Sequence, residues 1–532
     1  MGKYVNPGNK AFAIVAGDDT YVDKTGLIEF TNNRIGKMRP LICFSRPRRF
    51  GKSIAAHMLT AYYSKGCDSR EIFSKLKIAG LPTFEDELNK NTVIYIDVQW
   101  VNSLAKGRGL EKEIVSFMQE QVIEELLEIY PNEIDEGETS LAGALFSIYS
   151  ATDEQFIVII DEWDCLFREA KDNQSLQDDY VNFLRGMFKG GAADAFIKLA
   201  YITGILPIKK YGTQSALNNF REYTMVQPFR LAEYIGFTEE EVQSLCTQYN
   251  MDFEECKRWY DGYSFNREKS VYSPNSVINA MNNGEFGSYW TTTETYESLR
   301  FYIDIDFDDV RKKILTMLSG EPVEINPRTF QNDMKSMENS DDVLTLLIHL
   351  GYLAYNNSEG YAYIPNEEVR QEFITATMNS SREELSKVIR NSDALLKATL
   401  RMDGDEVAER IEMAHQYYAN VKFYNNEQAL RMVIMLAYVS RVDDYIDFQE
   451  LPSGKGYADI LFFPKKNSRK PALLIELKWN HSAGGAIEQI KEKGYCDAIS
   501  GYGGDILLVG INYDENEKKH TCQIEKFEYN HN

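Results

Sequence analysis

Leu41-Ile42-Cys43-Phe44-Ser45-Arg46-Pro47-Arg48-Arg49-Phe50-Gly51-Lys52-Ser53 is a short apolar run that breaks into a basic, proline-bearing loop and closes on Gly-Lys-Ser. A helical stretch from Ile54 to Tyr63 follows. Strand, loop and helix in that order are the context a phosphate-binding loop demands. Backbone N–H groups at the start of such a helix face the loop and favour anions, so Arg46, Pro47, Arg48, Arg49, Phe50, Gly51, Lys52 and Ser53 form a candidate cradle for ATP. In that cradle Lys52 would reach the β and γ phosphates, and the Ser53 hydroxyl would hold Mg²⁺. The general pattern opens on Gly where this chain has Arg46, so a residue with a side chain makes the first turn. Pro47, with its fixed φ, helps to set that turn.

Working outward, Phe156 to Ile160 is an unbroken apolar run, as a strand buried on both faces should be, and it ends in Asp161-Glu162. Asp161 is placed to hold the water shell of the metal, and Glu162 to polarise the attacking water. Further strands are expected at Thr92 to Val98 and Lys198 to Thr203, separated by helical patterns, which implies a parallel sheet with helices on both faces. Thr203 at a strand end is a candidate sensor of the γ-phosphate; it is equally well read as a plain strand terminus.

A second set of charges stands near the C-terminus. Tyr457 to Pro464 and Pro471 to Lys478 read as neighbouring strands joined by the polar turn Lys465 to Lys470. Side chains alternate along a strand, so Glu476 and Lys478 share a face while Leu477 points into the core. Asp459 is the companion acid. Two ionised carboxylates on one face repel unless a hard cation sits between them, which makes Asp459 and Glu476 candidate Mg²⁺ ligands. Lys478 would orient the activated water or offset charge on a phosphodiester. Glu427, near the start of an expected helix from Asn425 to Ser440, is a candidate third acid. Ala486 to Ile499 reads as a helix carrying Gln489 and Lys493 one turn apart.

Helix with Glu427, strand with Asp459, strand with Glu476 and Lys478, helix with Gln489: in this order residues 411–532 resemble the PD-(D/E)XK nuclease superfamily. The resemblance implies metal ligation by Asp459 and Glu476, a catalytic role for Lys478, and supporting roles for Glu427 and Gln489. Ala458 stands where the superfamily usually has Pro. Tyr21-Val-Asp23-Lys24-Thr25, the Arg46 to Ser53 loop, Asp161-Glu-Trp-Asp164, Trp259-Tyr-Asp-Gly-Tyr263 and Tyr272-Ser-Pro274 together resemble the predicted AAA-ATPase-like proteins of bacteria. Members of that family often end in a PD-(D/E)XK domain, and the Arg-Pro-Arg-Arg loop is usual among them.

The formal net charge of −23 excludes a surface that coats nucleic acid nonspecifically, because phosphate binding relies on Lys and Arg. Any DNA contact must be local. The best basic clusters are Arg46 to Lys52, already assigned to ATP, and Lys465 to Lys470. Asp342 to Leu350, a hairpin around Asn357-Ser-Glu-Gly360, and a helix opening after Pro365 make a winged-helix pattern. Its flanking acids Asp304, Asp306, Asp308, Asp309, Asp341 and Asp342 favour an interdomain or partner role over DNA reading. Seven cysteines without a CxxC pair, and six histidines, point to neither a disulfide framework nor a zinc site. No apolar run approaches a membrane span and Met1 to Lys10 is polar, so a cytoplasmic protein is expected.

The expected architecture is α/β: a P-loop NTPase parallel sheet over residues 1–235, a mostly helical lid over 236–300, a winged-helix-like and helical connector over 301–410, and a restriction-endonuclease-like α/β domain over 411–532. The expected function is an ATPase fused to a Mg²⁺-dependent nuclease. Its partners would be nucleic acid, DNA foremost, and ATP, with a second copy of the chain as a further candidate and no membrane. The competing reading is a signalling or scaffold ATPase whose nuclease-like domain only binds nucleic acid.

Overall fold

The computed structural model describes residues 2–527 except 38–39, 171, 209, 212–213, 216, 229–230, 266–267, 291–295, 305–307, 331–336, 379–382, 419–426, 454–455, 466–467, 469, 500–501 and 503. Asp306, the start of the helix expected from Asn425, and Lys466, Asn467 and Arg469 of the polar turn lie outside these residues. The chain divides into two compact units. One comprises Met1–Tyr289 with Glu324–Asn366, the other Trp290–Val323 with Glu367–Asn532.

The first unit is built on five strands: β1 (Leu41–Ser45), β2 (Thr92–Asp97), β3 (Phe156–Asp161), β4 (Ile197–Gly204) and β5 (Arg221–Tyr223), in the order β2-β3-β4-β1-β5. All neighbours run parallel, with Ile42 opposite both Tyr201 and Arg221 and Ile160 opposite Ile96 and Ile202. Every residue of β1 and β3 is buried, which is why their sequences are apolar without alternation. Around this sheet lie helix α1 (Lys10–Ala16), helix α2 (Lys52–Tyr63), which follows β1 directly, and the short helix α3 (Cys165–Glu169), which follows β3. The C-terminal ends of β1, β3 and β4 therefore meet at one edge, where open parallel sheets place their ligands.

The segment expected to be mostly helical does contain three helices, α4 (Glu239–Tyr249), α5 (Phe253–Tyr260) and α6 (Pro274–Asn283). It also contains a three-stranded antiparallel sheet of β6 (Phe237–Thr238), β7 (Tyr263–Phe265) and β8 (Glu268–Tyr272), in the order β6-β8-β7. Each of these strands is too short to show a period in the sequence. Helix α7 (Ser340–Leu350) and the hairpin β9 (Ala354–Asn356) and β10 (Tyr361–Tyr363) form the winged pattern. Asp341 and Asp342 are spent locally: Asp341 accepts from Asn326 N at 2.9 Å and Asp342 from Thr329 Oγ1 at 3.0 Å. The Trp259 to Tyr263 motif receives this hairpin. Tyr263 Oη donates to Gly351 O at 2.6 Å, Tyr363 Oη donates to Gly262 O at 2.9 Å, and a Cβ on Gly262 (φ 115°) would run into the Pro365 carbonyl. Only glycine fits there.

The second unit carries helix α8 (Gly404–Tyr418), helix α9 (Glu427–Ala437), strands β11 (Tyr445–Ser453), β12 (Gly456–Pro464), β13 (Ala472–Trp479), β14 (Ile506–Asp514) and β15 (Lys519–Lys526), and helix α10 (Ala483–Lys493) between β13 and β14. The strands lie in sequence order; β13 and β14 are parallel and the other pairs antiparallel. Alternation splits the sheet. Leu473, Ile475, Leu477, Val509, Ile511 and Tyr513 join the core with α8 and α9, while Leu474 and Leu508 pack with Ile487 and Ile490 of α10. Glu476 and Lys478 continue the Leu474 face. Helix α10 ends at Gly494, which is left-handed (φ 65°) and starts a separate 3₁₀ turn, Tyr495–Ile499. The single helix expected to Ile499 is thus broken by a glycine C-cap. Among the described residues, no helix is long and apolar enough to cross a membrane.

Candidate active sites

At the edge of the first sheet, the loop after β1 is fixed from beneath. Arg46 N donates to Gly204 O at 3.0 Å, tying the loop to the end of β4. The Arg46 side chain turns inward and is fully buried. It donates to Ser45 O at 3.0 Å and Tyr223 O at 3.1 Å, and its guanidinium lies 4.8 Å from the Phe265 ring centroid. Burial lowers its pKa to about 9. Arg46 thus shapes the loop from below, and Pro47 follows it. The left-handed positions that turn the chain are Arg49 (φ 64°) and Gly51 (φ 90°), the latter being the residue from which α2 starts. Arg48 is exposed, and Phe50 packs edge-on against Tyr263 at 5.3 Å.

Lys52, Ser53, Asp161, Glu162 and Thr203 come together above this loop. Lys52 is buried. Its Nζ donates to Pro47 O at 2.9 Å and lies 3.9 Å from Glu162 Oε1, and burial lowers its pKa against the pull of Glu162 and Asp161. Asp161, 1% exposed, is pushed up to about 7 by burial, opposed by a hydrogen bond from Ser53. Glu162 sits in a left-handed conformation (φ 53°), its N–H donating to Asp161 Oδ1 at 3.0 Å, and its carboxylate pairs with Arg168. Arg168 in turn meets Asp164 at 3.1 Å, and Asp164 accepts from Ile205 N and Leu206 N at 3.1 and 2.8 Å. Trp163 N donates to Thr203 O at 3.0 Å, so the ends of β3 and β4 are locked together, while the buried Thr203 hydroxyl has no partner among the described residues.

Beside Gly51 opens an apolar cavity of about 270 Å³, lined by Tyr21, Val22, Ile54, Met58, Phe237 and Pro274 among others. Its residues come from four separate stretches of chain, so no single motif marks it. The Tyr21 to Thr25 segment itself is pinned: Asp23 accepts from Thr25 N and Lys77 N at 2.8 and 2.6 Å, and Lys24 Nζ donates to Glu233 O at 2.6 Å.

In the second unit, four of the five expected residues converge. Asp459 and Glu476 lie on adjacent antiparallel strands, and Asp459 Oδ2 accepts from Leu477 N at 2.8 Å. Glu476 is 2% exposed; its Oε1 accepts from Lys478 Nζ at 3.3 Å and from Gln489 Nε2, and its Oε2 is buried with no partner among the described residues. Burial, then the charge of Asp459, pushes the Glu476 carboxyl up to about 7. Gln489 also reaches Tyr495 Oη at 3.4 Å, which the 3₁₀ turn after Gly494 delivers. Glu427 is exposed at the first turn of α9, and no hydrogen bond or ion pair among the described residues joins it to the acids. Its place beside Asp459 is taken by Arg431, one turn later, at 3.2 Å. Arg431 and Arg168 were both missed in the sequence; each stands on a helix beside an expected site residue, at four residues from Glu427 and from Asp164, and that spacing was the available signal.

Two segments of the chain match known protein families. Residues 8–213 match the family model described as predicted AAA-ATPase, and residues 425–523 match that of the PD-(D/E)XK nuclease superfamily. An uncharacterized protein in the vnfD 5' region of Azotobacter chroococcum mcd 1 is 24% identical over 546 residues, covering 96% of each chain. Among solved structures, the ORC2 protein of Aeropyrum pernix in ADPNP–ADP complexes aligns with 69% of this chain and 98% of its own, at 12% identity and a TM-score of 0.26. AMPPCP-bound DnaA from Aquifex aeolicus aligns with 77% and 90%, at 8% identity and a TM-score of 0.26. The chain carries an AAA-type ATPase-like domain and a PD-(D/E)XK nuclease-like domain.

Proposed function

We propose that this chain binds and hydrolyses ATP and cleaves nucleic acid, DNA foremost, at a Mg²⁺-dependent C-terminal site, with nucleotide state controlling the cutting. The observation that carries this reading is Glu476. A carboxyl that is 2% exposed, with Lys478 on one oxygen, the other oxygen unpartnered among the described residues and the charge of a second acid beside it, leaves negative charge for a further cation to match. The donor set is all oxygen, from Asp459 and Glu476, and it fits Mg²⁺. When bound, the ion supplies a more acidic water and neutralises developing phosphoryl charge. Lys478 stands against Glu476 where it can stabilise that charge, Gln489 holds the Glu476 carboxyl in place, and Arg431 with Leu477 N–H fixes Asp459.

The ATPase reading rests on the same kind of argument. Asp161, buried and raised to about 7 by burial although Ser53 donates to it, fits a Mg²⁺ brought with ATP, and buried Lys52 would exchange the Pro47 carbonyl for the phosphates. Glu162 orients the attacking water once Arg168 releases it, and the Thr203 hydroxyl has a γ-phosphate as its natural partner. The cavity beside Gly51 has room for the base.

One observation favours a second reading, a signalling or scaffold ATPase whose nuclease-like domain only binds nucleic acid: among the described residues no hydrogen bond or ion pair joins Glu427 to Asp459 or Glu476, which leaves two acids together there. Labelled DNA and RNA incubated with the full chain, with and without Mg²⁺ and with and without ATP, separate the two. Cleavage that needs Mg²⁺ and is absent from Glu476→Ala supports the first. Binding with no cleavage under any condition supports the second.

A further inference from the structure

A second cluster of ligand-type side chains lies in the nuclease-like unit, away from the acids just described. Glu412 and His415 are three residues apart on α8 and share a face of the helix. His520 on β15 joins them from 108 residues beyond Glu412, its Nδ1 lying 2.7 Å from Glu412 Oε2. One ligand atom from each of the three lies within 4.8 Å of the other two. The imidazoles of His415 and His520 meet edge to face at 5.1 Å, and Tyr513 packs on both, at 5.1 and 4.7 Å. His415 is 8% and His520 1% exposed.

The strand register separates this cluster from Glu476. His520 pairs directly with Tyr513, whose side chain belongs to the α8 and α9 face of the sheet, whereas Glu476 and Lys478 lie on the α10 face. The docking of α8 on β15 is tight: a Cβ on Gly404, at the start of the helix, would collide with the Cys522 carbonyl. The three side chains are therefore presented by rigid elements.

We propose that Glu412, His415 and His520 bind a divalent transition-metal ion of the zinc class, clipping α8 to the last strand of the nuclease-like unit. Two imidazoles and one carboxylate select Zn²⁺ or its neighbours over Mg²⁺, which prefers oxygen alone. Burial lowers the pKa of both imidazoles, His520 to about 4, and metal binding takes the neutral form of the ring. Three protein ligands leave the fourth tetrahedral position to water. Ligand atoms about 2.0 to 2.2 Å from a tetrahedral metal lie roughly 3.3 to 3.5 Å apart. Ligand atoms within 4.8 Å of one another therefore need to close by no more than about 1.5 Å to reach that spacing. Glu412, with 26% of its side chain exposed, is the ligand with room to move. Because α8 and β15 are far apart in sequence, the ion would close a long loop and raise stability.

The test uses the full chain carrying Asp459→Ala and Glu476→Ala, which silences the other acid pair, in excess Mg²⁺ to fill oxygen-only sites. After chelator treatment the protein is titrated with Co²⁺ and, against a chromophoric chelator, with Zn²⁺. One equivalent of Co²⁺ should give the visible bands of a four- or five-coordinate ion, Zn²⁺ should displace it and raise the Tm, and His415→Ala and His520→Ala should each abolish the bands. Glu412→Gln, a change at the most exposed ligand, should weaken Zn²⁺ by about 10 to 100-fold without loss of fold. Absence of stoichiometric Co²⁺ bands, or bands unchanged by His415→Ala, overturns the site and leaves a hydrogen-bonded His–Glu pair. Should the histidine variants fail to fold, unchanged Zn²⁺ affinity in Glu412→Gln has the same consequence.

Discussion

The loop site of the first unit and the acid pair of the second are made from the same charges, a lysine and two carboxylates, and in each one acid is raised to about 7, Asp161 in the first and Glu476 in the second. They differ in the lysine. Lys52 has 3% of its side chain exposed, rests on a backbone carbonyl and is itself lowered by burial. Lys478 has 17% exposed and lies directly on Glu476. They differ also in the brace on the second acid: Arg168 covers the Glu162 carboxylate, whereas Arg431 and a backbone N–H fix Asp459 while Glu476 Oε2 stays open. Buried opposite charges cost desolvation on both partners. On the proposed function, the loop site would be relieved by a phosphate and a cation arriving together and the second site by a cation alone, so that Lys52 would serve binding and Lys478 rate.

The strongest way to break the comparison is to remove an acid from each site. Asp459→Ala or Glu476→Ala should reduce cleavage by about 10³-fold or more, the scale of losing a member of a catalytic unit. Cleavage should likewise vanish in EDTA, return with Mg²⁺ or Mn²⁺, and not return with Ca²⁺, whose looser shell positions water poorly. Gel assays with labelled substrates read all of these. In the first unit, Glu162→Gln should keep ATP binding and lose hydrolysis by about 10² to 10⁴-fold, measured as phosphate release. Turnover at the parental rate would mean that Glu162 is only a partner for Arg168.

Exchange of the lysines tests the distinction itself. Lys52→Ala should abolish ATP binding in calorimetry, whereas Lys478→Ala should leave metal affinity nearly intact and lower cleavage by about 10²-fold. Equal ATP affinity for Lys52→Ala and the parent chain would remove the argument for a binding lysine. Arg431→Ala, which frees Asp459 without removing it, should cost less, about 10-fold in cleavage with a weaker dependence on Mg²⁺ concentration. No change would show that Leu477 N–H alone suffices.

Much of both sites was legible because Asp161, Glu476 and the loop after Ser45 each follow an apolar run, and Asp459 adjoins one. The runs at Leu41, Phe156 and Ala472 are strands because they are buried, and a charged residue that ends such a run must stand at a sheet edge. What could not be read was anything assembled from separate segments. Arg46 reads as a loop cation and is instead buried among Ser45, Tyr223 and Phe265. β11, β14 and β15 went unassigned: β11 and β15 mix polar and apolar residues, whereas β14 is buried from Ile506 to Tyr513 and was passed over although its first four residues are apolar. His415 and His520, more than a hundred residues apart, share no motif, so counting histidines suggested no cluster at all. Glu427 carries the opposite lesson: helical spacing placed an acid near the site, but Arg431 on the next turn reaches it.

The last effect concerns stability, and it sharpens what lies beneath the loop. His349 on α7 is fully buried and faces the Arg46 guanidinium, and burial, aided by that charge, lowers its pKa to about 3. In the unfolded chain a histidine titrates near about 6.5. Between these values the unfolded state binds the extra proton, so stability is fully present above about pH 6.5 and is lost as pH falls toward 3. By about pH 5 the loss from this one group is about 2 kcal/mol. His349→Gln cannot titrate, so the urea midpoint of the first unit, read by pulse proteolysis, should fall less between about pH 7.5 and 5 than in the parent chain. Parallel curves for the two proteins would mean that His349 does not stay neutral against Arg46, and that the loop's foundation tolerates a second charge.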